Sequence, residues 1–154
     1  MNFDFFEKYK YKIKSKSELK KILQKFRSSK KSIMCHGVFD IVHPGHVRHL
    51  IHAKNRADIL IVSLTSDKFI SKGKFRPHVP EKIRSLNMSA FEMVDYVIID
   101  DEKTPINLIK FIKPTFFAKG FEYTANKINN NTLVEEKTVR SYGGRMVFTP
   151  GDII

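Results

Sequence analysis

Residues 32–55 read SIMCHGVFDIVHPGHVRHLIHAKN, and this stretch decides the fold. It begins with a run of strand-favouring residues at Ile33–Cys35 and ends with helical spacing over Val47–Ala53. The segment between them, Gly37–His46, contains glycine, proline and histidine and has the character of a turn from strand to helix. This order predicts the start of a parallel sheet whose strands are joined by helical crossovers.

The same alternation of strand and helix signals continues along the chain. Five strands separated by helices predict an open, doubly wound, Rossmann-like α/β fold, with helices on both faces of a parallel sheet. Such folds bind ligands beyond the carboxyl ends of the strands. The other predicted strands are Ile59–Leu64, Val94–Ile99, Thr115–Ala118 and Met146–Thr149, and the other predicted helices are Glu81–Phe91, Ile106–Ile112 and one opened by the capping box Thr132–Glu135.

The front of the chain is strongly basic. Residues 1–32 carry 11 Lys and Arg against three acidic residues, and so hold most of the formal net charge of +12. The first dozen residues alternate aromatics and lysines, a pattern typical of either a half-buried strand or an apolar arm. A capping box at Ser15–Glu18 then predicts a basic amphipathic helix over Leu19–Phe26. We favour docking of this helix on its own domain; the alternative is a contact with a membrane surface or nucleic acid.

Length and composition limit the class of protein. A chain of 154 residues suits one compact domain, at roughly 100 to 200 residues per domain. It has 42% hydrophobic residues and no apolar window of the roughly 18 residues that a membrane span requires. The single cysteine, Cys35, excludes an intrachain disulfide framework and a multi-thiolate zinc site, and we expect it to be a buried core thiol. Because the N-terminus also lacks a signal-peptide pattern, we expect a cytoplasmic protein.

The turn Gly37–His46 carries the densest chemical signal. A helix N-terminus presents unpaired N–H groups and a partial positive charge, and Gly45 has no Cβ to keep a phosphate from the backbone. His43 and His46 are three residues apart, so both can donate hydrogen bonds to phosphate oxygens from one side of the helix start. Metal ligation and a merely exposed turn are the alternatives. His49 and His52 continue the spacing, and we expect them at the surface or its boundary.

The motif GxFDxxHxGH, present from Gly37 to His46, resembles the signature of the cytidylyltransferase-like nucleotidyltransferases. The segment 65–84, TSDKFISKGKFRPHVPEKIR, is similar to the Ser-Asp, K-G-x-x-R-P and arginine series of the adenylyltransferase domain of ADP-heptose synthases. VDYVI at 94–98 and AKGFEY at 118–123 match the same family in order and spacing. The resemblance is closest to this heptose group and more distant to the glycerol-3-phosphate cytidylyltransferases.

The resemblance implies a role for each matching residue. The histidines stabilise the triphosphate, and lysines on the glycine-containing loop follow the charge that develops on the leaving pyrophosphate. Magnesium is expected on the triphosphate, steadied by Asp40, with no protein metal site. The implied catalytic residues are His43, His46, Lys72 and Lys74; the implied nucleotide-binding residues are Gly37, Val38, Phe39, Asp40, Gly45, Lys119 and Gly120; the implied substrate-phosphate residues are Arg76, Arg84 and Asp67.

Three functions remain open from the sequence. The first is transfer of AMP from ATP to a heptose 1-phosphate, giving ADP-heptose for surface polysaccharide synthesis; the second uses CTP and glycerol 3-phosphate or another small phosphorylated alcohol. The third is a degenerate nucleotide-binding module that docks a partner through its basic helix. Departures such as His36, where the heptose enzymes usually have asparagine, bear on substrate detail.

The resemblance also implies an organisation for the chain. We expect a basic arm and helix over residues 1–30, and a nucleotidyltransferase domain over 31–154 that stops before its last helix. A homodimer, no nucleic-acid partner and a C-terminal sugar-kinase domain in a longer protein complete these expectations.

Overall fold

The computed structural model describes residues 4–71, 73–120 and 129–151. Within them, five parallel strands form one sheet in the order β3-β2-β1-β4-β5. This arrangement confirms the predicted Rossmann-like α/β fold. The strands are β1 Ser32–Gly37, β2 Ile59–Thr65, β3 Tyr96–Asp100, β4 Phe116–Gly120 and β5 Arg145–Thr149; the helices are α1 Phe5–Tyr9, α2 Lys16–Phe26, α3 Pro44–Lys54, α4 Glu81–Ser89, α5 Ile106–Ile112 and α6 Asn130–Arg140, with 3₁₀ turns at Lys10–Lys12 and Asp67–Phe69.

Helices cover both faces of the sheet because successive strand residues point to opposite sides. On β1, Ile33 and Cys35 pack into one core cluster with Leu50 of α3 and Met88 of α4. Met34, between them, belongs to a second cluster that includes residues of α2, α5 and α6. Cys35 is buried, as predicted, and burial raises the pKa of its thiol.

The basic helix α2 is docked on its own domain, as favoured from the sequence. The Ser15 hydroxyl accepts from the Glu18 N–H, and the Glu18 carboxylate accepts from the Ser15 N–H, so the predicted capping box is present. Leu19 and Leu23 are buried in the second core cluster, while Lys21 and Lys25 are exposed and Lys16 and Lys20 are half-buried. Packing of the leucine side fixes the helix on the domain.

The described residues at the front of the chain, from Phe5 to Lys12, are helical and do not form the half-buried strand that was one of the two predictions for this segment. Asp4 caps the short helix α1, and a 3₁₀ turn follows it. Only Ile13 forms an isolated parallel bridge, with Val97, at the outer side of β3 among the described residues. The aromatic side chains are therefore distributed by helical rather than strand geometry.

Helix α6 begins earlier than predicted. Its N-cap is Asn129, whose side chain accepts from the Thr132 N–H, so the helix starts at Asn130. Thr132 is buried inside the first turn, and Glu135 points into the domain to pair with Lys119 instead of closing a capping box. Tertiary burial of these two side chains overrides the local capping pattern.

In the described part of the chain, no helix is both long and apolar enough to cross a membrane.

Candidate active site

A cavity of about 670 Å³ lies at the carboxyl ends of β1, β4 and β5, beside the N-terminus of α3. This is where an open parallel sheet places its ligand site. The structure brings ten of the fourteen predicted site residues to its wall: Gly37, Val38, Phe39, Asp40, His43, Gly45, His46, Arg76, Lys119 and Gly120. Arg48 and His49 also line it, and neither was predicted as a site residue.

The turn after β1 is tight, and two glycines leave room for aromatic rings. Phe39 has a φ of 48°, the left-handed conformation that reverses the chain, and its ring is buried. A Cβ on Gly37 would lie 3.0 Å from that ring, and a Cβ on Gly45 would lie 3.0 Å from the His43 ring. The absence of a Cβ at Gly45 therefore makes room for the His43 ring, in addition to the predicted access for phosphate.

His43 and His46 lie together at the start of α3. His43 is the N-cap residue, Pro44 occupies the first helical position, and the two imidazoles stack with ring centroids 3.8 Å apart. The Phe39 ring contacts His46 edge-on, with centroids 5.0 Å apart. Both imidazoles line the cavity next to the positive end of the helix, which suits hydrogen bonding to an anion.

His49 is half-buried, as expected for a residue at the surface boundary, and it also lines the cavity. Its Nδ1 lies 2.7 Å from Thr149 Oγ1, which ties α3 to the end of β5. The spacing of three residues from His46 is the sequence feature that could have placed His49 on the cavity side of α3. Its partner Thr149 could not be predicted, because it lies 100 residues away in sequence. The next histidine, His52, is half-buried and does not line the cavity.

Asp40 fastens the turn after β1 to the loop 76–79. One carboxylate oxygen accepts from the Arg76 guanidinium at 2.8 Å and from the His78 N–H at 2.9 Å, and the other accepts from the Val79 N–H at 2.8 Å. Burial alone would raise the pKa of Asp40, but these three donors lower it to about 2. Both carboxylate oxygens already accept hydrogen bonds from the loop 76–79, and this disfavours the expected contact of Asp40 with magnesium.

Arg84 and Asp67 are not positioned as the predicted phosphate clamp. The Arg84 guanidinium is fully buried, and it donates to the carbonyls of Val79 and Val38 and to Asp67 Oδ1. Asp67 also accepts from the N–H of Glu81, at the start of α4. The pair thus holds together the turn after β1, the loop before α4 and the 3₁₀ turn after β2, because each of the three guanidinium nitrogens donates to a protein oxygen.

The predicted lysines of the loop differ in their placement. Lys72 lies outside the described residues. Lys74 is exposed and is not among the residues that line the cavity. Among the described basic residues of this loop, Arg76 reaches the cavity wall, where it pairs with Asp40.

His36 also lines the cavity, near the ammonium group of Lys119. His36 Nδ1 lies 2.9 Å from Ser63 Oγ, and its Nε2 lies 3.2 Å from Thr65 Oγ1. Burial, with a smaller effect of the nearby Lys119 charge, lowers the pKa of His36 to about 4. His36 is therefore a neutral hydrogen-bonding group at neutral pH.

Among the described residues, no cluster of three or more His, Cys, Asp or Glu side chains is arranged to hold a metal ion.

Residues 34–147 match the sequence profile of the Cytidylyltransferase-like family. The chain belongs to the cytidylyltransferase-like family. The match includes the turn, α3 and the carboxyl ends of β1 and β4, so it covers most of the cavity wall. Membership identifies the protein as an enzyme of the nucleotidyltransferase type and confirms the family that the sequence resembles.

Among cytidylyltransferase-like relatives, the bifunctional protein HldE of Campylobacter concisus is 38% identical over 138 residues, which are 88% of this chain and 29% of the relative. HldE of Campylobacter jejuni subsp. jejuni strain NCTC 11168 is 46% identical over 117 residues, 75% of this chain and 25% of the relative. The chain thus spans less than a third of these relatives. The crystal structure of a lipopolysaccharide core biosynthesis protein from Thermoplasma volcanium superposes with a TM-score of 0.67 at 25% identity, covering 81% of this chain and all of the other.

Proposed function

We propose that the protein transfers AMP from ATP to a heptose 1-phosphate, forming ADP-heptose and pyrophosphate. The observation that carries the proposal is the cavity at the start of α3, where two stacked histidines and the helix N-terminus meet basic side chains. HldE-type relatives and a structural neighbour named for lipopolysaccharide core biosynthesis support a sugar phosphate as the acceptor.

The reaction requires positioning and charge neutralisation rather than a covalent intermediate. An oxygen of the acceptor phosphate forms a bond to the α-phosphorus of the triphosphate, and the bond from that phosphorus to the bridging oxygen breaks. Pyrophosphate leaves with the electron pair of the broken bond. In this scheme His43, His46 and the α3 N–H groups donate to phosphate oxygens as negative charge moves toward the leaving group.

Basic residues from two other elements complete the proposed phosphate environment. Arg76 reaches the cavity from the loop after β2, and Lys119 reaches it from the end of β4. Lys72 and Lys74 stay predicted contributors if the loop closes over the bound triphosphate. Magnesium enters as part of the magnesium–triphosphate substrate, where it neutralises phosphate charge. Arg84 and Asp67 position the loop from behind.

A CTP-dependent reaction on glycerol 3-phosphate or another small phosphorylated alcohol is the second candidate, and the description of the matching family supports considering it. The profile that matches the chain is described as cytidylyltransferase-like. Both candidates use the same cavity and the same displacement at the α-phosphorus. They differ in the base and in the acceptor.

We also propose that the chain is one domain of a longer, bifunctional protein, with the kinase domain expected from the sequence. Both relatives are named bifunctional, and the chain spans 29% and 25% of their lengths. A homodimer stays a prediction, which sedimentation of the purified chain would test.

Calorimetric titration with magnesium–ATP and with magnesium–CTP tests the function directly. We expect ATP to bind, and binding to weaken about tenfold or more in His46→Ala, because a donor to the phosphates is removed. His52→Ala is the matched control: it alters the same helix outside the cavity and should leave the affinity unchanged. Release of pyrophosphate should then require a heptose 1-phosphate.

The opposite results are equally informative. Selective binding of CTP, with turnover on glycerol 3-phosphate, would replace the first proposal by the second. If neither nucleotide binds, the enzyme proposal fails for this chain. The docking module then becomes the better hypothesis, and its binding through the lysines of α2 should weaken steeply with salt.

A further inference from the structure

Glu135 and Lys119 form a buried ion pair behind the wall of the cavity. Glu135 Oε2 lies 2.5 Å from Lys119 Nζ, and the two side chains are 7% and 13% exposed. Glu135 lies on the second turn of α6, and Lys119 lies at the carboxyl end of β4, where it lines the cavity. Burial raises the pKa of Glu135, and the Lys119 charge acts in the opposite direction.

Stability alone is a weak reason for such a pair. Desolvation of two buried charges offsets much of their attraction, and an apolar pair of similar volume often stabilises a fold equally well. The pair also departs from the local capping pattern of α6, because Glu135 turns into the domain. A role for the pair in the adjoining cavity is therefore the better explanation.

The surrounding contacts fix Lys119 at both of its ends. Thr149 Oγ1 donates to the Lys119 carbonyl over 3.3 Å, and the same hydroxyl lies 2.7 Å from His49 Nδ1. The backbone of Lys119 is thus tied to β5 and α3, while Glu135 holds the ammonium group. A free lysine side chain has many rotamers, and a ligand that must order it binds more weakly.

We propose that Glu135 is a positioning residue for nucleotide binding, which holds the Lys119 ammonium group in place at the cavity wall. The incoming phosphates then meet a cation that is already ordered. This inference rests on the proposed function, because it assigns Lys119 to a nucleotide. Removing the carboxylate charge should lower nucleotide affinity about tenfold, since the ligand must then order the lysine.

The experiment is a double-mutant cycle read by calorimetry with magnesium–ATP and magnesium–CTP. Its members are the wild-type chain, Glu135→Gln, Lys119→Met and the double variant. Glu136→Gln is the matched control, because it removes the same charge from the next position of α6, where Glu136 pairs with Arg140 instead. Urea unfolding of each variant establishes that it is folded before titration.

Positioning predicts a specific pattern of affinities. Glu135→Gln should bind the preferred nucleotide about tenfold more weakly than wild type, whereas Glu136→Gln should bind within twofold of it. In the Lys119→Met background, Glu135→Gln should cause no further loss. If Glu135→Gln fails to fold, Glu135→Asp replaces it in the cycle, because the shorter side chain keeps the charge but withdraws it from Lys119; about a threefold loss is then expected.

Two results would overturn the inference alone. One is a wild-type chain that binds nucleotide and a Glu135→Gln variant that binds it equally or better. The other is an equal loss with and without Lys119, which would assign Glu135 a purely structural role. If the wild-type chain binds neither nucleotide, the proposed function itself fails, and the inference fails with it.

Discussion

Replacing Asp100 by asparagine should change how the stability of the protein depends on pH. Asp100 is the last residue of β3, and its side chain is fully buried. Neither carboxylate oxygen accepts a hydrogen bond from the described residues, and the nearest cation, Lys16 Nζ, is 4.0 Å from Oδ1. A carboxylate in such surroundings is costly to ionise.

The magnitude follows from the two ionisation states. Burial raises the pKa of Asp100 from 3.8 to about 6. The nearby charges of Glu102 and Asp101 act in the same direction, and the charge of Lys16 acts against them. The unfolded chain therefore releases this proton near pH 4, and the folded chain holds it until about pH 6. Stability from Asp100 is fully present below pH 4 and is lost as the pH rises through 6. Two pKa units correspond to about 3 kcal/mol.

Urea unfolding of wild type and Asp100→Asn between pH 4 and pH 7.5 measures this effect. The free energy of unfolding of the variant, minus that of wild type, should increase by about 2.5 kcal/mol across the range, because a small part of the effect lies below pH 4. Any fixed cost of burying the amide is present at every pH and cancels in the comparison. A difference that stays constant within about 0.5 kcal/mol would refute the reasoning.

Asp101→Asn is the matched control, because it makes the same substitution one position further along. Asp101 accepts from Lys68 and Ser66, and these hydrogen bonds lower the pKa of its carboxyl group. Its pH dependence should have the opposite sign, with the variant losing stability relative to wild type as the pH rises. The two variants together separate burial from a general effect of net charge.

Three other substitutions test the structural account of the site. Asp40→Ala should destabilise the protein by about 2 kcal/mol or more and speed amide hydrogen exchange in the loop 76–79, because three donors lose their acceptor. Unchanged exchange would show that the hydrogen bonds to Asp40 do not hold this loop. Arg84→Met should cost about 2 to 4 kcal/mol in thermal unfolding because it removes a fully buried guanidinium that donates to the Val79 and Val38 carbonyls and to Asp67. The exposed Lys74→Met should stay within about 0.5 kcal/mol, and equal effects of the two substitutions would contradict the burial argument. Leu19→Ala should cost about 2 to 5 kcal/mol in urea unfolding if α2 is part of the core, and no cost would show that the helix is peripheral.

Local patterns determined the elements that carry the site. The sequence order from β1 through the glycine turn to α3 follows from neighbours along the chain, as does the Ser15 capping box of α2. These features depend on interactions within about four residues, which spacing reveals. The same locality explains the error in α6. Asn129 and Thr132 are both capping residues, and the choice between them depended on burial.

The partners of the charged site residues were decided only by the tertiary structure. Asp40 binds a loop 36 to 39 residues away, and His49 meets Thr149 across 100 residues. Arg84 carries the sequence signature of a phosphate-binding residue, yet the fold buries it against Val38 and Asp67. A sequence specifies which side chains carry charge. Whether such a charge faces protein or an open cavity depends on how distant segments cross, and that crossing is fixed by the packing of the whole sheet.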